Sequence, residues 1–338
     1  MFTGDAARAW VRRGVSVGRR RVHWVIAWGA ALVLVLALAA WLARRASPPM
    51  PAQQTTLASA AAPISVEQWL LADKAPDWRA ARLTDNPAVL VIEFPNLLEQ
   101  GLTFNRVAAL IEKKDAPRGR VLNDTELAAL VASSGDNTET FYLGHDYTDV
   151  DLARFFSLAT AQQLALNAQE LRLRALLLRA GILRASSPGH LEAIDRQAVI
   201  GFSSVHADNP ATPQDESIDR QRRASVLWHE LSHAQFFTRA DYRTACWTFW
   251  TDALNDRERA LFRTYLDTLN YDTHNEALMV NETQALLMHT PDARDFNAAA
   301  LGVSVALLDG WRRRFRQVLD AAPPAPARPP SNPIQSTP

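Results

Sequence analysis

The most informative part of the sequence is Val226-Leu227-Trp228-His229-Glu230-Leu231-Ser232-His233-Ala234. Residues four positions apart lie above one another on a helix, so His229 and His233 can direct two imidazoles at one metal ion. Glu230 is turned by about 100° from His229, which places its carboxylate beside the metal, where a general base for water is needed. The motif therefore predicts a metal-bearing helix. Its uncharged neighbours suit a buried one: Val226, Leu227, Leu231 and Ala234.

A catalytic zinc site usually has three protein ligands and one open position. The pattern H-E-x-x-H-x-x-G-x-x-H would supply a third histidine, but Phe236 and Arg239 stand at its last two defined positions. Glu282 is the preferred third ligand, because it lies in a largely apolar helical segment where an unpaired carboxylate is costly to bury. Glu276 and His274, nearer the start of that segment, are the alternatives.

Together with Asn281-Glu282, the H-E-x-x-H motif resembles the zincin metallopeptidases of the gluzincin type, such as thermolysin and the aminopeptidases related to it. The resemblance covers about a quarter of the chain, around residues 215–290. It implies one Zn²⁺ per chain on His229, His233 and Glu282, and peptide hydrolysis with Glu230 as general base. The implied substrate is a peptide or protein. Leu286 departs from the thermolysin pattern, which has an acidic residue there, and no closer subfamily is identified.

Enzymes of this type also use a tyrosine or histidine to stabilise the oxyanion, and an edge strand to pair with the substrate backbone. Tyr271 and His274 are the first candidates for the oxyanion role, and His289 is a further one. Residues 198–206 are the candidate edge strand, with a purely structural strand as the alternative.

Aromatic residues follow the motif closely, and they favour core packing between helices over an apolar substrate pocket. They are Phe236, Phe237, Tyr242, Trp247, Phe249 and Trp250. Cys246, the only cysteine, can form neither an intrachain disulfide nor a cysteine-based zinc site. We predict that it is a small buried apolar residue.

The N-terminal region contains a membrane-anchor pattern. Residues 22–43 are apolar apart from His23, and a helix of that length spans roughly 33 Å, which matches a bilayer core. Six arginines lie on the N-terminal flank of this segment and only two, Arg44 and Arg45, lie directly after it, so the N-terminus is predicted to be cytoplasmic. The alternative is a cleaved signal peptide, disfavoured because the apolar run is long and ends at two arginines.

The composition sets the class of protein and its partners. The chain has 36 basic and 36 acidic residues and a formal net charge of +0, so no basic field would gather nucleic acid. Its 48% hydrophobic residues can form a substantial core. The basic residues are nearly all arginine and alanine is abundant, which is typical of a bacterial chain. We therefore expect a bacterial inner-membrane protein whose body lies in the periplasm.

The predicted organisation has five parts: a cytoplasmic basic segment at 1–21, a transmembrane helix at 22–43, a linker at 44–64, a zincin-like metallohydrolase domain at 65–320, and a disordered proline-rich tail at 321–338. The expected fold of the body is α+β and mostly helical, with a small N-terminal α/β lobe. Strands are predicted at 88–94, 141–147 and 198–206. Helices are predicted at 104–114, at 124–132, at 151–184 with a break near Gly181, and from Thr212-Pro213 onward.

Two other functions fit the same sequence. One is a metal-dependent hydrolase that acts on cell-envelope material other than peptide. The other is a membrane-tethered binding or scaffold protein whose site is inactive. Bound metal and turnover separate the scaffold from both enzymes, and substrate profiling separates the two enzymes.

Overall fold

The computed structural model describes residues 62–72, 74–187 and 189–321. The predicted basic segment, the transmembrane helix at 22–43, nearly all of the linker and all but the first residue of the tail lie outside these ranges. Within them, none of the helices combines the length and apolar character needed to cross a bilayer.

The described chain contains both strands and helices, as an α+β fold requires. The strands are β1 (Arg79–Arg82), β2 (Val89–Phe94), β3 (Gly144–Thr148), β4 (Leu183–Ser187), β5 (His190–Ala193) and β6 (Ala198–Ser203). The helices are α1 (Val66–Leu71), α2 (Leu97–Ile111), α3 (Asp124–Ser133), α4 (Asp149–Ala161), α5 (Ala168–Arg179), α6 (Arg220–Thr238), α7 (Ala240–Thr248), α8 (Asp256–Thr268), α9 (Glu276–His289) and α10 (Val305–Ala321). A π-helical turn, Phe249–Ala253, follows α7 directly.

Four of the strands form one mixed sheet in the order β1-β2-β6-β3. β2 and β6 are parallel, with Val89 opposite Ala198, whereas β1 and β3 are antiparallel to their neighbours. β4 and β5 form a separate hairpin. The predicted edge strand at 198–206 is therefore wrong, because β6 pairs on both sides. β3 is the edge strand next to it.

Helices cover both faces of this sheet, which explains why β2 is buried along its whole length. Its alternate residues Leu90, Ile92 and Phe94 pack into one core with residues of α2, α4 and α5. Val89 and Val91 point the other way and pack with apolar residues of α1 and α6. Burial of each such side chain stabilises the fold by about 1.5–3 kcal/mol. The contacts of Val89 and Val91 therefore hold α6 against the sheet.

A buried ion pair also ties α6 to the sheet. Arg223, in the first turns of α6, donates to the Glu93 carboxylate on β2 at 2.6 Å, and Arg79 approaches the same carboxylate at 3.0 Å. Asp219 caps the start of α6 by accepting a hydrogen bond from the Arg222 amide at 2.8 Å. The helix that carries the H-E-x-x-H motif is thus fixed at its N-terminus and along one face.

The C-terminal half is helical and has its own core. Phe236, Tyr242, Phe249 and Trp250 are buried in it, which confirms the prediction that the aromatic residues after the motif pack between helices. Cys246 is buried in the same core, again as predicted.

Two of the predicted helices differ in the structure. The helix expected from Thr212-Pro213 begins only at Arg220, because the Thr212 hydroxyl donates to Glu216 at 2.7 Å inside a loop and caps no helix. The stretch 151–184 forms two helices, α4 and α5, separated at Gln163, whose φ is +54°. α5 ends just before Gly181, the break that the sequence predicts.

Candidate metal centre

The motif on α6 and the downstream glutamate on α9 converge at one point. The Nε2 atoms of His229 and His233 are 3.0 Å apart. The Glu282 carboxylate is 3.8 Å from each of these nitrogens through its two oxygens. α9 packs directly against α6, and this packing turns Glu282 toward the two imidazoles.

These distances fit a zinc ion. Zinc bonds to nitrogen and carboxylate oxygen are about 2.0–2.2 Å long, so the ligand atoms of a tetrahedral site are about 3.3 Å apart. The observed separations lie on either side of that value. His229 keeps 17% of its side chain exposed, whereas those of His233 and Glu282 are 1% and 4% exposed. The site is therefore buried with one accessible side, as a catalytic centre requires.

Thr290 sets the orientation of His229. The Thr290 hydroxyl donates its single proton to the Ala285 carbonyl at 3.0 Å, so it must accept from Nδ1 of His229, which is 2.7 Å away. Nδ1 of His229 therefore carries the ring proton, and the lone pair is on Nε2, which faces the proposed ion. Burial also holds the pKa of His229 well below its ordinary value, so the ring stays neutral at pH 7.

Replacing Thr290 with valine is expected to weaken zinc affinity by about 10- to 100-fold, because it removes the partner that orients His229. Competitive titration with a fluorescent zinc chelator measures this directly. Thr283→Val is the matched control, since the Thr283 hydroxyl is buried on α9 and has no hydrogen-bond partner among the described residues. Equal affinities for the two variants would contradict the role of Thr290.

His233 is held neutral in a similar way. Burial lowers its pKa to about 4. A neutral imidazole is the form that binds a metal ion.

Glu230 lies beside His233 and Asp146. It is 4% exposed, and its Oε2 has no hydrogen-bond partner in the part of the chain that the structure describes. Burial raises its pKa well above the ordinary value, and the carboxylates of Asp146, Glu282 and Glu112 raise it further. A raised pKa suits a group that must take a proton and later release it.

Gly144 on β3 makes room for that carboxylate. A Cβ built on Gly144 would be 2.1 Å from Oε1 of Glu230, a distance that no side chain tolerates. The edge strand therefore approaches the motif helix closely only because this residue is glycine.

Replacing Gly144 with alanine is expected to displace the flexible end of Glu230, lowering kcat by at least about 100-fold. Zinc content and helical circular dichroism should stay near wild type, because the three atoms nearest to the added Cβ all belong to the Glu230 side chain. Gly119→Ala is the control, since a Cβ there meets nothing within 4 Å. Full activity in Gly144→Ala would contradict the placement of Glu230.

A cavity of about 380 Å³ opens beside the two histidines. Six carboxylates line its wall: Glu112, Asp136, Asp146, Glu230, Glu282 and Asp295. Burial raises the pKa of Glu112 and of Asp146 to about 8, and a neighbouring acidic group adds to each shift. Lys113 is the one arginine or lysine among the described lining residues. Such a wall favours a bound cation.

The other residues predicted for the site lie in different places, and only one of them lines the cavity. Tyr271 lines the cavity, whereas His274 is exposed and lies outside it. His289 is buried, 3.0 Å from the Tyr242 hydroxyl, and does not line the cavity. Glu276, at the start of α9, forms an ion pair with Arg263. Of the candidates for third ligand, only Glu282 lies with the two histidines.

Four residues of the site escaped the sequence analysis: Glu112, Gly144, Asp146 and Thr290. Gly144 and Asp146 lie within a predicted strand, where a glycine and an acidic residue are unusual and could have indicated a site. The sequence around Glu112 and Thr290 contains no comparable indication of a site. They reach the centre only through tertiary packing of α2 and of the end of α9.

Comparisons of this chain with protein-family models, with curated proteins and with solved structures gave no match.

Proposed function

We propose that this chain is a zinc-dependent metallopeptidase of the gluzincin type. The convergence of His229, His233 and Glu282, with Glu230 beside them and its Oε2 unpaired, carries the proposal. Two neutral imidazoles and one carboxylate are a common ligand set for catalytic zinc. The residues present therefore fit one zinc ion.

Zinc in such a site acts as a Lewis acid that acidifies water and polarises a carbonyl group. Glu230 takes a proton from the attacking water on its unpaired oxygen and passes it to the leaving amine. Thr290 keeps the imidazole of His229 in the ligating form. Tyr271 is the remaining oxyanion candidate that lines the cavity.

The edge strand β3 supports a peptide as substrate. β3 pairs with β6 on one side, and its other edge pairs with no strand among the described residues. An extended peptide can add to such an edge by backbone hydrogen bonds. Gly144 and Asp146 of β3 line the cavity, so a peptide paired there would run past the metal centre. With the predicted anchor at 22–43, we place this activity on the periplasmic side of the inner membrane.

The test is hydrolysis of a defined peptide mixture by the purified full-length chain, followed by mass spectrometry. We expect cleavage that a zinc chelator abolishes and that stoichiometric zinc restores. His233→Ala, prepared in parallel, controls for contaminating peptidases. Cleavage that survives chelation, or that His233→Ala retains, would overturn the proposal. So would the absence of cleavage in the zinc-loaded chain.

A further inference from the structure

A network of four buried polar side chains lies next to the proposed metal ligands. Its members are Ser232, Tyr242, Gln284 and His289, and each is at most 4% exposed. None of these four residues lines the cavity, and the proposed mechanism uses none of them. Buried polar groups are costly unless they are hydrogen-bonded, so the bonds within this polar network indicate what it does.

Ser232 determines the orientation of the Gln284 amide. The Ser232 hydroxyl donates its single proton to the His229 carbonyl at 2.7 Å, so it must accept from Gln284, whose Nε2 is 3.1 Å away. The amide nitrogen of Gln284 therefore faces α6. The same nitrogen donates to Oδ1 of Asn281 at 3.3 Å. Gln284 thus uses one N–H to reach α6 and the other to bind within α9.

Tyr242 on α7 holds the other end of the amide. Its hydroxyl donates to Oε1 of Gln284 at 2.6 Å and is 3.0 Å from Nε2 of His289. The single hydroxyl proton goes to Gln284, so Nε2 of His289 must donate to the hydroxyl. Burial lowers the pKa of His289 to about 3, so its ring is neutral and carries its one proton on Nε2. The direction of each hydrogen bond in the polar network is therefore determined.

The two residues that Gln284 binds through its nitrogen adjoin the proposed metal ligands. Ser232 directly precedes His233 on α6, and Asn281 directly precedes Glu282 on α9. The hydrogen bond from Gln284 to Ser232 joins the two helices at this level. It therefore restrains how far the carboxylate on α9 lies from the imidazoles on α6.

Helix packing alone does not require glutamine at this position. Met279, Val280, Ala285 and Leu287 are buried apolar residues of the same helix. Apolar contacts tolerate small shifts of one helix along another, whereas a hydrogen bond fixes both distance and direction. A metal site needs its ligands held within about 0.5 Å by such supporting bonds.

We propose that Gln284 is a positioning residue that fixes the spacing of Glu282 from His229 and His233, and thereby sets the affinity for zinc. Gln284 does not line the cavity, so it acts only through the residues that it holds. The inference rests on the metal centre of the proposed function and is independent of the substrate.

The first test compares Gln284→Met with Gln100→Met in the full-length chain, by competitive titration with a fluorescent zinc chelator. Methionine has nearly the length of glutamine and forms none of its amide hydrogen bonds. We expect zinc affinity to fall by about 10- to 100-fold in Gln284→Met, as on removal of other groups that hold metal ligands in place.

Gln100→Met is the matched control. Gln100 on α2 is 0% exposed, and its amide bonds to the Tyr142 carbonyl and the Ser203 hydroxyl, both at 3.3 Å. Both variants should lose stability, because each leaves buried groups without a partner. Only Gln284→Met should lose zinc affinity, and an equal loss in Gln100→Met would overturn the inference.

Cobalt gives a spectroscopic readout of the same effect. The visible absorption of protein-bound Co²⁺ depends on the number and arrangement of its ligands. We expect a changed spectrum in Co²⁺-loaded Gln284→Met and the wild-type spectrum in Gln100→Met. The wild-type spectrum in both variants would contradict a positioning role, because a loss of stability alone does not alter the coordination of the bound ion.

Ser232→Ala removes the same interhelical bond with a smaller change in shape, and it tests the inference even if Gln284→Met folds poorly. We expect zinc affinity to fall by about 2- to 10-fold, the equivalent of one neutral hydrogen bond. The double variant should bind zinc no more weakly than Gln284→Met, because the two changes remove one shared bond.

The outcomes separate this inference from the proposed function. Wild-type zinc affinity in either single variant, or effects that multiply in the double variant, would overturn the role of Gln284 and leave the metallopeptidase proposal intact. A wild-type chain that binds no zinc would overturn both.

Discussion

Replacing Glu230 with glutamine is expected to lower kcat by about 10²- to 10⁴-fold, the usual contribution of a general base. Glutamine has nearly the same shape but cannot accept the proton from water. Zinc content should stay near one ion per chain, because Glu230 lies beside the three converging ligands and is not one of them. Elemental analysis and initial rates on the same sample measure both effects.

Loss of metal along with activity would contradict this assignment, because it would make Glu230 a ligand. Full activity would exclude it as the base. Glu139→Gln is a suitable control, since Glu139 does not line the cavity and should retain both zinc and activity.

Replacing Glu282 with glutamine is expected to remove most of the stabilisation that zinc provides. At a free zinc concentration a thousandfold above Kd, binding stabilises the folded chain by about 4 kcal/mol. For a body of this size, that corresponds to a rise in Tm of roughly 8–16 °C. In Glu282→Gln the rise in Tm on adding zinc should be only a few degrees. Thermal unfolding of both proteins with and without zinc measures this difference.

The metal-free Glu282→Gln protein should be at least as stable as the metal-free wild type. Burial raises the pKa of Glu282 well above its ordinary value, and repulsion from Asp146 and Glu112 raises it further. Removing the charge of Glu282 relieves that repulsion. Glu276→Gln is the matched control on the same helix: it changes a surface ion pair with Arg263 and should leave the zinc effect intact. A full zinc effect in Glu282→Gln would exclude Glu282 as a ligand.

The motif helix and the strand at 89–94 could be predicted because their patterns are local. Four-residue spacing places His229 above His233 wherever a helix forms, and a β-branched run between prolines forms a strand in most contexts. The apolar neighbours of the motif are buried against the sheet, as a metal-bearing helix needs.

The order of strands could not be predicted from such patterns. Residues 198–202 have no polar side chain, which fits a strand covered on both faces and says nothing about its neighbours. Only the pairing shows that β6 is internal and β3 is the edge. Residues 141–143 belong to no strand, and the strand Gly144–Thr148 carries Asp146, whose carboxylate is 3.7 Å from His233.

The cluster of carboxylates around the metal centre could not be predicted from the sequence either. Glu112 ends α2 and Asp146 lies 34 positions later on β3, and each alone looks like an ordinary surface residue. Their meeting beside Glu230 depends on how α2, β3 and α6 pack. Buried groups that repel one another lower the stability of the fold. Proteins retain such groups where function requires them, as the proposed active site would.

The most direct test of the central claim is the zinc content of the purified full-length chain after supply of zinc and removal of the excess. We predict about one zinc ion per chain in the wild type and in Glu276→Ala, and a large loss in His233→Ala and in Glu282→Ala. A well-folded wild-type chain that retains no zinc, or variants that retain as much as the wild type, would contradict the metal centre proposed for α6 and α9.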